Sequence, residues 1–252
     1  MVYIISRSLS HITNVPYAGP RIRTVWRRYL YCKLVARWWR TARANQGPAQ
    51  IEPFRVYWIA PQTVTHNLRS LETPFKQFTH TGRVIGGSWD RDNTPIEETL
   101  LYRGILERYD EGIPWESTEY FERLQERIER GKEPYECSSM KELRERYRRI
   151  DDLYERLKTE GYRSQREIVG KRTSAALNDI TVHVGRDGQF LFYGTGNHRI
   201  RLARYLDLDS VAVRIVVRHT KWQEKRNKLA TGEADPTDLG IDPSHPDIQD
   251  II

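Results

Sequence analysis

The stretch Gly194-Thr195-Gly196-Asn197-His198-Arg199 sets two glycines ahead of an amide, an imidazole and a guanidinium. Glycine lets the backbone take positive φ and turn its amides toward an anion. A helix starting at Asn197 would add unpaired first-turn N–H groups and the positive end of its dipole. Basic side chains there oppose that dipole unless an anion offsets them. The chemistry this points to is phosphate binding, with Gly194 and Gly196 freeing the backbone and Asn197, His198 and Arg199 reaching phosphate oxygens. A strand-to-helix turn with Asn197 as its cap and a surface His198 fits the same residues. A second group is Gly86-Gly87-Ser88-Trp89-Asp90-Arg91-Asp92. There Asp90 and Asp92 could hold Mg²⁺ between a nucleotide and an acceptor, with Asp90 as the catalytic carboxylate. The alternative is a turn with a buried Trp89 and solvated acids.

The elements that must position these residues follow from the pattern of the chain. The apolar run Phe190-Leu191-Phe192 leads into the glycine loop. Ile180 to Val184 alternates, Arg186-Asp187-Gly188 is a turn, and Gln189 to Tyr193 completes a hairpin. Val211 to Val217 reads as a further strand, and Phe54 to Ile59 as an earlier one ending at Ala60-Pro61. Between them lie an irregular stretch reaching Asn93 and three punctuated helices. The first opens at Thr94-Pro95 and stops at Gly112, the second runs from Ser117 or Thr118 to Gly131, and the third from Ser138 or Ser139 to Gly161. Leu143, Tyr147, Ile150, Leu153, Tyr154 and Leu157 keep one apolar face through the third.

At 252 residues the chain can bury a full core. It has no apolar run near the ~18 residues that span a bilayer, and the opening MVYIIS is too short for a signal-peptide core. Cys32 and Cys137 match no zinc or redox spacing. These features predict a reduced, soluble, cytoplasmic protein. The formal charge of +7 is unevenly placed: residues 1–51 hold nine Arg or Lys and no acid, leaving 32 basic and 34 acidic groups for the rest. Residues 21–43, RIRTVWRRYLYCKLVARWWRTAR, predict a helix with a ridge at Ile22, Trp26, Leu30, Leu34 and Trp38. That arm could pack on the body, lie on an anionic membrane, or contact nucleic acid through interleaved Arg and Trp. The expected organisation is a basic aromatic arm over 1–47 and a domain over 48–230 with a helical insertion at 94–161. A loose acidic tail over 231–252 completes it.

The run from Ile150 to His219 resembles the ParB/sulfiredoxin fold. The likeness rests on Ile150-Asp151-Asp152-Leu153 through Gly161, on Ile180 to Val184, and on Gly196-Asn197-His198-Arg199. Tyr205-Leu206-Asp207-Leu208 and Val211 to Val217 continue it, and Val56 to Val64 resembles the family's first strand with its following proline. Gly86 to Asp90 and Gly112 to Thr118 are similar to uncharacterised archaeal and phage relatives, a likeness that names a group and no reaction. The resemblance implies an α+β fold: a small mixed sheet of this type, here with the multi-helix insertion and the N-terminal basic helix. It also implies a loop that binds nucleotide phosphates, CTP in ParB proteins and adenine nucleotides in sulfiredoxin and a free serine kinase. On it, His198 and Arg199 would hold phosphate oxygens and Gly196 would give backbone amides. Asn197 stands where sulfiredoxin needs a cysteine and ParB partition proteins carry glutamate, so sulfinic acid repair is disfavoured. ParB partition proteins also carry a helix-turn-helix module after this core, and none is expected in the roughly thirty residues after His219.

The expected function is therefore a nucleotide-binding protein using ATP or CTP with Mg²⁺, as a phosphotransferase or NTPase. A ParB-like nucleic-acid module, or a peripheral membrane or scaffold protein acting through the arm, is the alternative. Removal of residues 1–47 tests the arm: binding to DNA or anionic vesicles should fall while nucleotide binding persists. The lost binding should be the part that weakens steeply with added salt. An insoluble truncated protein would instead make Trp26, Trp38 and Trp39 core residues.

Overall fold

A computed structural model describes Leu30 and residues 47–69, 80–170 and 175–252, with only the backbone given for Val169, Ala175 and Ala176. The chain divides into two units, Met1–Gly47 and Pro48–Ile252. The helix expected over residues 21–43 lies outside the described residues, Leu30 apart. Except for Leu30 and Gly47, every described residue belongs to the second unit.

A long, wholly buried strand with two arginines in it organises this unit. Strand β7 (Val211–His219) reads VAVRIVVRH, and all nine residues are buried. Burial on both faces is what such a continuous run predicts. Its first residues pair antiparallel with β1 (Tyr57–Ile59), and its last pair parallel with β3 (Arg83–Ile85). Along its other side runs β5 (Ile180–Val184), also parallel. Beyond β5 come β6 (Phe190–Phe192), β2 (Val64–Leu68) and β4 (Asn93–Pro95), giving a mixed sheet of seven strands in the order β1-β7-β5-β6-β2-β4, with β3 on β7. The register between β5 and β7 shifts after Val182, where Val184 faces Arg218. This bulge sends Val216 and Val217 into the same apolar cluster and brings Arg218 round toward Tyr57.

Among the described residues there are six α-helices: α1 (Leu100–Tyr109), α2 (Glu119–Glu129), α3 (Met140–Glu160), α4 (Gln165–Val169), α5 (Asn197–Tyr205) and α6 (Thr220–Ala230). Local chemistry sets several of their ends. Thr118 Oγ1 accepts from Phe121 N at 3.2 Å. Ser139 Oγ accepts from Glu142 N, and Glu142 answers by accepting from Ser138 N at 2.7 Å. Gly161 ends α3 at φ 72°. Helices α1 to α3 bury their apolar faces together around Leu101, Phe121, Leu143 and Tyr147, with Leu202 of α5 completing the cluster. On the sheet side, Ile200 and Ala203 of the same helix join the main core with Val182, Val213 and Trp222. Helix α5 is thus a wedge between two cores, and the glycine loop is the tip of that wedge.

The mixed α/β architecture agrees with the α+β expectation, but three local expectations are corrected. Thr94-Pro95 does not open the α-helix, only a 3-10 turn over Ile96–Glu98. It lies in edge strand β4, paired with Asn67 and His66, and the helix waits for Thr99 as its N-cap. Proline, lacking an N–H, is tolerated at a sheet edge. The stretch read as irregular up to Asn93 contains β2 and β3, too short for their alternation to register. The segment read as a loose acidic tail from Thr231 is packed instead: Ile241, Asp247 and Ile248 are buried.

Asp247 explains why that segment docks. Its carboxylate accepts from Arg218 Nε at 2.9 Å and from Trp222 Nε1 at 2.8 Å, and its carbonyl accepts from Arg226 Nε at 2.8 Å. Arg218 also donates to Tyr57 Oη at 3.0 Å, and Asp250 pairs with Arg55 at 2.8 Å. Two buried guanidinium groups in the core would be costly without this counter-charge. Burial alone would raise the Asp247 carboxyl, but the charges of Arg218 and Arg226, with the hydrogen bonds from Arg218 and Trp222, outweigh it and hold it at about 2. A carboxyl depressed in the folded state gives stability that is complete above its unfolded value of 3.8 and is lost as pH falls toward 2. Asp247→Asn should cost about 3–5 kcal/mol in urea unfolding at pH 7, since it strands buried charges. The gap between variant and wild type should close on acidification below pH 4, and a gap that does not change with pH would refute the ion pair as its cause.

Candidate functional site

The glycine loop leaves β6, crosses the start of β5 and enters α5. Thr181 clamps it: its N–H donates to Thr195 O at 3.0 Å, its hydroxyl accepts from Thr195 N at 2.8 Å and donates to Tyr193 O at 2.9 Å. Gly194 and Gly196 take φ of 112° and 91°. A Cβ on Gly194 would lie 2.7 Å from Thr181 Oγ1, and one on Gly196 would lie 2.7 Å from Ile180 Cγ1 and 2.9 Å from Ile180 Cα. Both glycines are therefore required by sign of φ and by close approach.

Gly196 is the N-cap of α5 in a left-handed conformation, with no side-chain cap and no acid in the first turn. The first bond of the helix runs from Ile200 N to Gly196 O. The amides of Asn197, His198 and Arg199 come before it, at the positive end of the dipole. Helices α2, α3, α4 and α6 are each capped by a side chain, whereas α1 shares with α5 a start without one.

The side chains of the loop do not all face outward. The His198 ring is buried, with Nε2 at 3.2 Å from Tyr147 Oη and the ring against those of Tyr135 and Tyr147 at 5.2 and 5.7 Å. Burial, helped by the charges of Arg146 and Arg201, pushes its imidazole down to about 3, so it is neutral at physiological pH. A neutral ring under the insertion helices is a packing group and no phosphate clamp, which corrects the role expected for His198. Arg199 turns back along the loop and donates to Asn178 O and to Tyr162 Oη at 3.4 Å. It anchors the turn. Asn197 stays half-exposed; its Oδ1 accepts from Arg201 Nη1 and its Nδ2 donates to Tyr135 Oη at 3.0 Å.

The second constellation is not brought to the first. Asp90 is buried and bound by Arg186, whose Nε reaches Oδ2 at 2.8 Å, whose Nη2 reaches Oδ1 at 2.6 Å, and whose backbone N–H reaches Oδ2 at 3.0 Å. Burial opposes its ionisation, but the hydrogen bonds from Arg186 and the nearby His219 hold the carboxyl below its ordinary range. Arg186 lies in the turn at the far end of the hairpin from the loop. Strand β5 separates them by roughly 13 Å between Ile180 and Val184, at ~3.3 Å per residue. A Mg²⁺ ion binds its oxygens at about 2 Å, so one held by Asp90 could not touch phosphates on the loop. Asp92 is exposed. The described residues offer no group of three His, Cys, Asp or Glu that could hold a metal. Asp90 and Asp92 therefore do not fit the catalytic and metal roles expected of them.

Sequence reasoning missed the partners supplied by the insertion: Tyr135, Arg146 and Tyr147 around the loop's first turn. Arg201 was open to inference, because it follows Asn197 by one helical turn. No local pattern marks Tyr135. Comparison with family models, with curated proteins and with solved structures finds no match for this chain. Among the described residues no helix is long and apolar enough to cross a membrane.

Gly196→Ala tests whether the close approach holds the loop. It adds backbone strain and a contact with an Ile180 backbone atom that cannot move aside, for a loss on the order of 2–4 kcal/mol in denaturant unfolding. Gly87→Ala is the control, at a similar φ of 91° with nothing within 4 Å of the added Cβ, and should cost less. Equal losses at both sites would show that strain alone, and no contact with β5, matters.

Proposed function

We propose that the loop from Gly194 to Arg199 is a phosphate site and that the chain is a nucleotide-binding protein of ParB/sulfiredoxin type, with ATP or CTP as its ligand. The observation that carries this reading is the uncapped start of α5, with its first-turn amides free of side-chain acceptors beside an exposed Gly194. Such a helix start attracts an anion. The order of β6, glycine loop, α5 and β7 agrees with the order the resemblance implies. Backbone amides and Asn197 would make the phosphate contacts, while His198 and Arg199 shape the loop from behind. Phosphoryl transfer or hydrolysis is not part of this reading, since Asp90 is tied to Arg186 at the other end of the hairpin.

A thermal-shift series with ATP, ADP, CTP and GTP, each with and without Mg²⁺, tests it. At a hundredfold excess over Kd the bound nucleotide should stabilise the protein by about 2.7 kcal/mol. Asn197→Asp should abolish the shift: it keeps the acceptor for Arg201 and favours the helix dipole, yet repels phosphate. The unliganded midpoint should then stay level or rise. A wild-type midpoint unmoved by millimolar nucleotide sinks the reading.

A further inference from the structure

The C-terminal segment is fastened to the body at two adjacent points of different chemistry. Asp247 holds it from within the core, through Arg218 and Trp222. Two residues earlier, the half-exposed His245 holds it to the β5–β6 hairpin. His245 Nε2 lies 2.9 Å from Gly188 O in the hairpin turn, and Nδ1 accepts from Asp247 N at 3.1 Å. The ring stacks on that of Phe190 at 5.0 Å and packs against that of Trp222 at 4.7 Å.

These partners fix the tautomer. A carbonyl can only accept and an amide N–H can only donate, so Nε2 carries the proton and Nδ1 presents a lone pair. A second proton must enter at Nδ1, where it meets the Asp247 N–H and breaks that bond. The charges around the ring offer an imidazolium no direct partner. On its own segment, Asp242 spends Oδ1 on Ser244 N and Oγ, both at 2.8 Å, and Asp247 gives its oxygens to Arg218 and Trp222. Helix α6 brings the adverse charge of Arg226, and its Lys225 turns away to Leu239 O at 3.2 Å. In the hairpin turn Arg186 is bound to Asp90 and Asp187 is exposed, while β6 contributes Phe190. Burial, helped by Arg226, outweighs Gly188 O and the two carboxylates and holds the imidazole below its ordinary 6.5. Docking stability from such a ring is complete above 6.5 and is lost as pH falls below it. The Asp247 ion pair fails only in a lower window, below 3.8.

We propose that His245 is a proton-operated clasp: protonation at Nδ1 opens the turn over 242–246 from the β5–β6 hairpin, while Ile241, Asp247 and Ile248 keep its two ends docked. Acid therefore releases the segment in two steps, the clasp first and the ion pair second. Opening removes the cover that His245 gives Phe190 and Trp222.

Amide exchange of the full chain, read by NMR at pH 7.5 and pH 5.5 and corrected for the intrinsic rate, tests the clasp. The reporter is the Asp247 N–H, which donates to Nδ1 itself. Its protection should fall about three- to tenfold at the lower pH, tenfold being the limit for one proton taken up a unit below an undocked value of 6.5. Amides of β7 should keep theirs. His245→Asn retains a side-chain acceptor two residues before Asp247 N but cannot titrate, so its Asp247 protection should not change with pH. His245→Gln, with the same expectation, replaces it if the Asn variant fails to fold. Wild-type protection that does not change with pH, or an equal fall in wild type and variant, would overturn the proposal. So would a parallel loss in β7, the mark of global acid unfolding driven by the buried neutral rings of His183 and His198.

Discussion

The approach of a glycine backbone to a β-strand fixes much of this molecule. Gly194 and Gly196 lie so close to Thr181 and Ile180 that no side chain fits between. That contact sets where α5 starts, and α5 serves two cores at once, with Ile200 and Ala203 on the sheet side and Leu202 on the insertion side. Its far end is fixed by Arg204, which donates to the carbonyls of Pro61, Gln62 and Val64. The exposed part of the loop therefore sits on a rigid support, as a binding site requires.

Charge is managed in two ways around this frame. At two deep cations, Arg218 and Arg226, a carboxylate is brought from later in the chain, that of Asp247. An enclosed imidazole stays neutral instead: burial pushes both His183 and His198 down to about 3. Arg201 follows neither pattern, since guanidinium stays protonated at ordinary pH even though burial pulls it down to about 10. Its donors go to the neutral acceptors of Thr99, Asn67 and Asn197.

What was legible in the sequence was local. Thr118, Ser139 and Gly161 announce helix ends through hydrogen bonds spanning three or four residues, and Gly194 and Gly196 announce positive φ. Burial of His198 could not be read that way, because its cover comes from Tyr147 and Tyr135, more than fifty residues earlier. The same limit hid the pairing of Asp90 with Arg186, which turns a plausible metal ligand into half of a fixed ion pair. The bulge in β7 is a subtler case. Alternation along VAVRIVVRH sends Arg214 and Arg218 to one face, whereas one extra residue in the register redirects Arg218 alone.

The position of Asp247 in the chain also constrains the order of events during synthesis. Strands β1 and β7, with Arg218 and Arg226, emerge from the ribosome before the carboxylate that neutralises those arginines. Until residue 247 is outside the exit tunnel, closing the sheet would enclose bare positive charge. Closing the sheet over Arg218 and Arg226 and docking Ile241 and Ile248 are therefore one coupled event, since the neutralising carboxylate lies between those two isoleucines.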